Sequence, residues 1–232
     1  MVGRDELVGK SGIKKAKKDI NEKKRIPHVT IKRLSRYLRA LERLRDEGKE
    51  TASSEELAEL LNIKPSQLRK DLAYFGEFGT RGMGYNINKL LAHLRDILGV
   101  NREWNIAIIG VGNLGTALLN YRGFNEGGFR TVCLLDDDPG KVGKKKLGLT
   151  VYHIDDINKV IKDHGVNICV IAVPAEFAQS ILDRCYDAGI HAVLNFATIS
   201  LRAPEDMHLI TVDIAADLKS LCHFMTKDKC MD

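Results

Sequence analysis

The stretch Ile106-Ala107-Ile108-Ile109-Gly110-Val111-Gly112-Asn113-Leu114-Gly115 constrains this chain more than any other. Four apolar residues run straight into Gly-x-Gly-x-x-Gly, and Thr116–Tyr121 then reads as a helix. Alone, the glycine pattern is weak. Behind a strand, ahead of a helix and at the head of a βαβ unit, it predicts a dinucleotide-binding turn. Gly110 permits the tight turn, Gly112 lets the backbone approach a pyrophosphate, and Gly115 lets helix and strand pack closely. The helix start offers free N–H groups and a positive dipole end to the phosphates.

The rest of the C-terminal half agrees. Short apolar runs at 105–109, 131–135, 168–173, 191–194 and 209–212 alternate with helical patterns, which predicts a parallel α/β sheet of Rossmann type. The second run ends at Asp136, 21 residues after Gly115. A carboxylate there accepts from both adenine-ribose hydroxyls and repels a 2′-phosphate, so NADH and NAD⁺ are favoured over their phosphorylated forms. The competing role is a helix cap, for which Asp138 before Pro139 is better placed. Val173-Pro174-Ala175-Glu176 forms a loop at the carboxyl edge of the sheet, where such folds hold the nicotinamide half. A last helix is predicted from Asp213 to Met225, with Ile214, Leu218, Leu221 and Met225 on one stripe.

The N-terminal half has a different character. Residues 1–100 carry 22 Lys and Arg against 14 Asp and Glu, whereas residues 101–232 carry 14 against 17. A basic half on a mildly acidic half points to nucleic acid at one end; a basic solvated surface is the plain alternative. Residues 1–26 hold a run of lysines with no apolar period and read as a disordered basic arm. A helix is predicted over 30–47, capped by Thr30 and ended by Gly48, with Ile31, Leu34, Leu38, Leu41 and Leu44 inward. A second opens at Ser53 with capping-box spacing to Glu56 and an inward stripe of Leu57, Leu60 and Leu61. Pro65 starts a third that runs to Phe75 and stops at Gly76. The glycine-rich Gly76–Tyr85 segment reads as a hairpin, and a fourth helix spans about 88–98. Helix, helix, turn, helix, hairpin is the order of a winged helix-turn-helix. In that fold the third helix enters the major groove. Ser66, Gln67, Arg69 and Lys70 occupy its first turns, with chemistry suited to phosphate, adenine and guanine, and Arg81 stands at the hairpin tip. A charged helix on a protein-interaction module is the alternative.

Several classes are excluded. No apolar run approaches the roughly 18 residues of a membrane span, and the N-terminus has no signal core. The cysteines Cys133, Cys169, Cys185, Cys222 and Cys230 are scattered, with no pairing or metal-ligand spacing. A cytoplasmic protein with reduced thiols, no metal and no catalytic residues is expected. The rival readings are an NAD-dependent dehydrogenase with a helical extension and a CoA- or nucleotide-binding interaction module. The first lacks room for a substrate domain, and His153, His164, His191, His208 and His223 show no sequence pairing suited to hydride chemistry. Asp136 speaks against the second.

With these segments in order, the chain resembles the Rex family of redox-sensing bacterial repressors from about residue 27 onward. The stretches that carry the resemblance are Ile31–Leu34, Arg69-Lys70-Asp71-Leu72-Ala73-Tyr74-Phe75-Gly76, Gly79–Tyr85, Gly110–Leu118, Asp136–Pro139, Val173–Glu176, Gly189-Ile190, Leu194-Asn195-Phe196 and Val212-Asp213. Gly140, in place of a more helix-friendly residue, and the long lysine-rich arm depart from the family pattern. The resemblance implies a homodimer on inverted-repeat operator DNA. In it NADH favours release, and NAD⁺ leaves DNA binding intact. It implies a C-terminal helix swapped to the partner, over residues 213–232, behind a winged domain at 27–100 and a Rossmann domain at 101–212. It adds Asn195, Tyr121 and Asp213 to the cofactor site, and assigns sensing to Arg39, Tyr121 and Asp213. Only the oxidised nicotinamide is charged, so a carboxylate facing that ring distinguishes the two forms. For Asp213, a plain helix cap is a compatible second role.

Overall fold

A computed structural model describes residues 26–80 and 82–228. The expected basic arm (Ile26 excepted), Arg81 and residues 229–232 of the expected tail lie outside the described residues. The chain divides between Asn101 and Arg102 into two compact units.

In the first unit, helix α1 spans His28–Asp46, α2 Ser54–Leu61, α3 Pro65–Leu72 and α4 Ile87–Leu98. Strands β1 (Thr51–Ala52), β2 (Gly79–Thr80) and β3 (Gly84–Asn86) form an antiparallel sheet in the order β1-β3-β2, with β2 and β3 as the two arms of the wing. Heptad-like spacing puts Leu34, Leu41 and Leu44 of α1 against Leu57, Leu68, Leu90 and Leu94 in one buried cluster; each such side chain contributes roughly 2 kcal/mol. Ser53 caps α2 by accepting from the Glu56 N–H at 3.0 Å, but the Glu56 carboxylate turns to Lys49 instead of closing the capping box. Asn86 caps α4 through the Lys89 N–H, and Gly99 ends it in the left-handed region.

Three local expectations are corrected. Thr30 does not cap α1: the helix begins two residues earlier, Pro27 occupies the N-cap position, and Thr30 is buried beside Arg33 and Asp71. Leu60 is 43% exposed, because an eight-residue helix presents Leu57, Ala58 and Leu61 to the core and turns Leu60 away. The third helix stops at Leu72, and Ala73–Phe75 continue as a turn.

In the second unit, β4 (Trp104–Ile109), β5 (Phe129–Asp136), β6 (Lys145–Lys146), β7 (Leu149–His153), β8 (Ile168–Ile171), β9 (Ala192–Asn195) and β10 (His208–Thr211) form one sheet. Its order is β10-β9-β8-β4-β5-β7-β6, parallel except for the β6 edge. Strand order reverses beside β4, so the loops after β4 and β8 meet at the switch point where such sheets bind ligands. Helices α5 (Asn113–Leu119), α6 (Arg122–Glu126), α7 (Ile157–Asp163) and α8 (Ala175–Asp187) join the strands. Strands β6 and β7 are additions to the predicted set. The predicted Thr116–Tyr121 helix is instead α5, ending at Leu119, followed by α6 with Tyr121 at its N-cap position. Asp138 accepts from the Gly140 N–H at 2.8 Å in a turn that no helix follows. The C-terminal helix α9 runs Ile214–Asp228.

Candidate functional site

The carboxyl ends of β4, β5 and β8 enclose a cavity of about 420 Å³. Gly110 and Gly112 form one wall, Val173 and Pro174 another, and Asp136 closes the end of β5. The glycines are there for steric reasons. A Cβ on Gly115 would lie 1.9 Å from the Gly110 carbonyl oxygen, and one on Gly110, where φ is +93°, would lie 2.6 Å from the Ala172 oxygen. A Cβ on Gly112 would meet nothing within 4 Å. Two of the three glycines therefore serve the fold, while Gly112 leaves open space along the cavity wall. Of the two glycines on that wall, Gly112 is the one whose missing side chain is not needed by the fold, which is the feature a backbone approach to a pyrophosphate requires.

Asp136 is 6% exposed. Its Oδ2 accepts from the Val111 N–H at 2.6 Å and its Oδ1 from the Asp138 N–H at 3.0 Å. Lys141 Nζ lies 3.2 and 3.1 Å from the two oxygens. Burial pushes the Asp136 carboxyl upward, but these donors outweigh it and hold the group below the usual carboxylate range. The residue predicted to await a ribose is thus already engaged: it anchors the glycine loop, and Lys141 shares it. Sequence reading missed Lys141, whose signal was its place five residues after Asp136. It also missed Phe177, Ser180 and Arg184 of α8, which line the cavity.

Other expected cofactor residues fall differently. Asn195 is fully buried, with Nδ2 donating to the Ala197 carbonyl at 2.9 Å and Oδ1 accepting from the Ala197 N–H at 2.9 Å. Its amide closes the turn after β9 and is absent from the cavity wall. Val111 is buried, and Asn113 and Leu114 are exposed on α5; none of the three lines the cavity. Tyr121 is 56% exposed, its ring edge-on to Phe124 at 5.3 Å. Asp213 caps α9, its Oδ1 accepting from the Ala216 N–H at 2.9 Å. Two histidines do pair with carboxylates, His153 with Asp155 at 3.4 Å and His191 with Asp206 at 3.3 Å, but neither lines the cavity. Cys133, Cys169 and Cys185 are buried core thiols, and burial pushes Cys133 up to about 12, far from a reactive thiolate. No metal-binding group of His, Cys, Asp or Glu occurs among the described residues.

In the first unit, α3 joins α1 through a buried polar cluster. Asp71 of α3 is 1% exposed. It accepts from Arg33 Nε and Nη2 at 2.6 and 2.8 Å, from the Tyr37 hydroxyl at 2.7 Å and from Gln67 Nε2 at 2.9 Å. Burial raises the Tyr37 hydroxyl, and its bond to Asp71 adds to the rise. Gln67, expected to face a base, is thus tied inward through its nitrogen. Arg69 is held by the Ser54 hydroxyl at 2.6 Å and by Glu55 at 3.1 Å. Ser66 and Lys70 are exposed on the same helix. On α1, Arg39 lies with Arg36 and Arg43 beside Leu60 and Leu61 around a groove of about 310 Å³.

A winged helical unit and a six-strand parallel sheet with a dinucleotide-type turn are joined in one chain, and comparison with known proteins decides what that pairing is. The chain is 48% identical over 198 residues to redox-sensing transcriptional repressor Rex 1 of Thermotoga maritima, covering 85% of this chain and 94% of that protein. It is 42% identical over 202 residues to the Rex repressor of a Roseiflexus species, covering 87% and 92%.

The chain belongs to the Rex family of redox-sensing transcriptional repressors.

As a Rex-family protein it is a regulator and not an enzyme, which sets the dehydrogenase reading aside. Residues 25–73 match the family described as "Putative DNA-binding protein N-terminus", and residues 101–199 match that described as "CoA binding domain". The second description names a fold shared by many ligands. The crystal structure of RSP, a Rex-family repressor, in complex with NAD⁺ and operator DNA superposes with a TM-score of 0.83 at 34% identity, covering 89% of this chain and 95% of that one. RSP in complex with NADH gives 0.80 at 33%, covering 89% and 97%. The fold of this Rex-family chain is accordingly an N-terminal DNA-binding domain followed by a Rossmann-like parallel sheet. No helix among the described residues is long and apolar enough to cross a membrane.

Proposed function

We propose that this chain binds inverted-repeat operator DNA as a homodimer and releases it when NADH replaces NAD⁺ in the β4–β5–β8 cavity. Residues 27–100 form the DNA-binding domain, 101–212 the dinucleotide domain, and 213–232 the helix and tail that reach the partner. The observation that carries this reading is the open wall at Gly112 on a loop otherwise closed to side chains, in a chain that also holds a winged helix-turn-helix. When bound, the nicotinamide supplies the signal through its ring charge. This chain's own residues do the rest. Gly112 would line the pyrophosphate with backbone while the Val111 N–H holds the loop to Asp136, and Asp136, once Lys141 yields, would accept from the ribose. Val173 and Pro174 would close over the nicotinamide half. On DNA, Ser66 and Lys70 are free to make first contact, and Arg69 joins them after leaving Glu55; Arg81 would extend the wing's reach to phosphate or the minor groove. The site of action is the cytoplasm, where operator and dinucleotide pool meet.

Dimerisation is supported by α9. Ile214, Leu218, Leu221, Phe224 and Met225 are 58–63% exposed, so an apolar stripe of a 15-residue helix is left bare. Such a stripe marks an interaction site, and a swapped helix covers it with a second copy. Leu218→Glu with Leu221→Glu is expected to turn a dimer into a monomer in sedimentation. The double mutant should stay folded, with melting lowered only by the loss of association and no longer dependent on protein concentration; a stable double-mutant dimer would disprove the swap.

Signalling is assigned to Arg39, Tyr121 and Asp213. Asp213→Ala should still bind NADH and still bind operator, yet need at least tenfold more NADH to release DNA than its own NADH affinity accounts for. Cap loss costs about 1 kcal/mol, so melting is measured alongside. Release at the wild-type NADH concentration by a folded dimer would refute the coupling role. The whole reading is tested by fluorescence anisotropy on operator DNA with NADH and NAD⁺ titrated in; identical release by both would overturn it.

A further inference from the structure

We propose that Asp71 fixes the orientation of the Gln67 amide so that its carbonyl oxygen is the reading group, making Gln67 a residue that selects bases bearing an amino group and rejects bases bearing a keto oxygen. This rests on the reading of α3 as the recognition helix.

A glutamine side chain is chemically two-faced. Turned one way it offers a donor to guanine O6 or thymine O4; turned the other it offers an acceptor to adenine N6 or cytosine N4. On an exposed helix both are available, and the residue specifies little. Here the choice is made from beneath. Asp71 is four residues on, so it lies on the same face of α3, one turn closer to the core. It is 1% exposed and faces the Arg33 guanidinium, so it is ionised and can only accept. The atom of Gln67 that faces it is Nε2, at 2.9 Å. The reverse orientation would set the Gln67 carbonyl oxygen against a buried carboxylate, two acceptors with no hydrogen between them, which is strongly unfavourable.

Asp71 cannot itself turn to relieve that conflict. Arg33 bonds both its oxygens and Tyr37 bonds Oδ2, so the carboxylate is held by two residues of α1. The Gln67 Oε1, by contrast, accepts no hydrogen bond from any described residue. Gln67 is in the first turn of α3, and N-terminal residues of a recognition helix are those that meet base edges. The acceptor held there pairs with an amino group and opposes a keto oxygen set against it, and the second Nε2 hydrogen remains for a neighbouring ring nitrogen, as adenine N7 lies beside N6.

The test uses the full-length chain and duplexes it selects from a random pool. Base pairs read by Gln67 are those whose preference disappears in Gln67→Ala. At such a position, replacing adenine by purine, or cytosine by 2-pyrimidinone, removes only the amino group. This is expected to weaken wild-type binding about five- to tenfold, the loss of one hydrogen bond, and to leave Gln67→Ala unaffected. A keto base at that position should cost wild type more. In Asp71→Asn, whose amide can accept as well as donate, the amino-over-keto preference should shrink at that position while preferences elsewhere remain. If Asp71→Asn does not fold, the amino-deletion series on wild type and Gln67→Ala still decides. Wild type indifferent to amino-group removal, or a folded Asp71→Asn with full discrimination, would overturn the inference. If no duplex is enriched, the DNA-binding reading falls, and this inference with it.

Discussion

Gly112→Ala is expected to abolish NADH binding, lowering affinity at least a hundredfold, at a stability cost of no more than about 1 kcal/mol, whereas Gly115→Ala should destabilise the second unit far more before any ligand is added. The contrast follows from what a methyl group meets. At Gly115 the added Cβ falls 1.9 Å from the Gly110 carbonyl oxygen, inside any tolerated contact, so α5 must move off β4. Overpacking against backbone costs about 1–3 kcal/mol or more. At Gly112 the same methyl enters open space at a φ any residue adopts, so the cost is confined to the poorer N-cap preference of alanine, about 1 kcal/mol or less. That space is where a pyrophosphate would come against bare backbone, so the methyl competes with the ligand alone. Calorimetry with NADH and thermal melts of both variants separate the two cases. Wild-type NADH affinity in Gly112→Ala would mean that the dinucleotide does not lie along this loop.

Asp71→Ala is expected to cost the first unit about 3 kcal/mol and with it most operator affinity. Removing one member of a buried ion pair leaves the other without compensation. Arg33 would keep its charge with no carboxylate, and Tyr37 and Gln67 would lose their shared acceptor. Replacing Lys70, exposed on the same helix, should leave stability within about 0.5 kcal/mol. The same cluster gives a pH signature. Burial pushes the Asp71 carboxyl up, but the bonds from Arg33, Tyr37 and Gln67 more than offset it and hold it below the usual carboxylate range. A depressed folded value contributes stability above the ordinary carboxylate range, about pH 4, and loses it as pH falls through the folded value. Wild-type melting should therefore drop in that acid window, and a folded Asp71→Asn should show a smaller drop. Equal melting of wild type and Asp71→Ala at neutral pH would remove the cluster from any structural role.

What the sequence determined by itself was whatever is written in local pattern. The strand-turn-helix around Gly110–Gly115, the α2 cap at Ser53 and the apolar stripe of α9 depend on residues within a few positions of each other, and spacing reveals them. Tertiary structure alone decided the state of the polar side chains, because each depends on a partner distant in sequence. Thr30 reads as a cap until Asp71, 41 residues on, takes it into the core. Gln67 reads as a free amide until the carboxylate beneath it is found to be pinned by Arg33 and Tyr37 of another helix. Asn195, which only the family resemblance put in the cofactor site, has its amide engaged at both ends by Ala197 once the chain folds back. Asp136 was legible as a carboxylate at a strand end, but not that Val111, 25 residues earlier, already donates to it. Hydrophobic periodicity is fixed by the helix and strand repeats themselves; a buried polar group is fixed by whichever donor the fold brings to it.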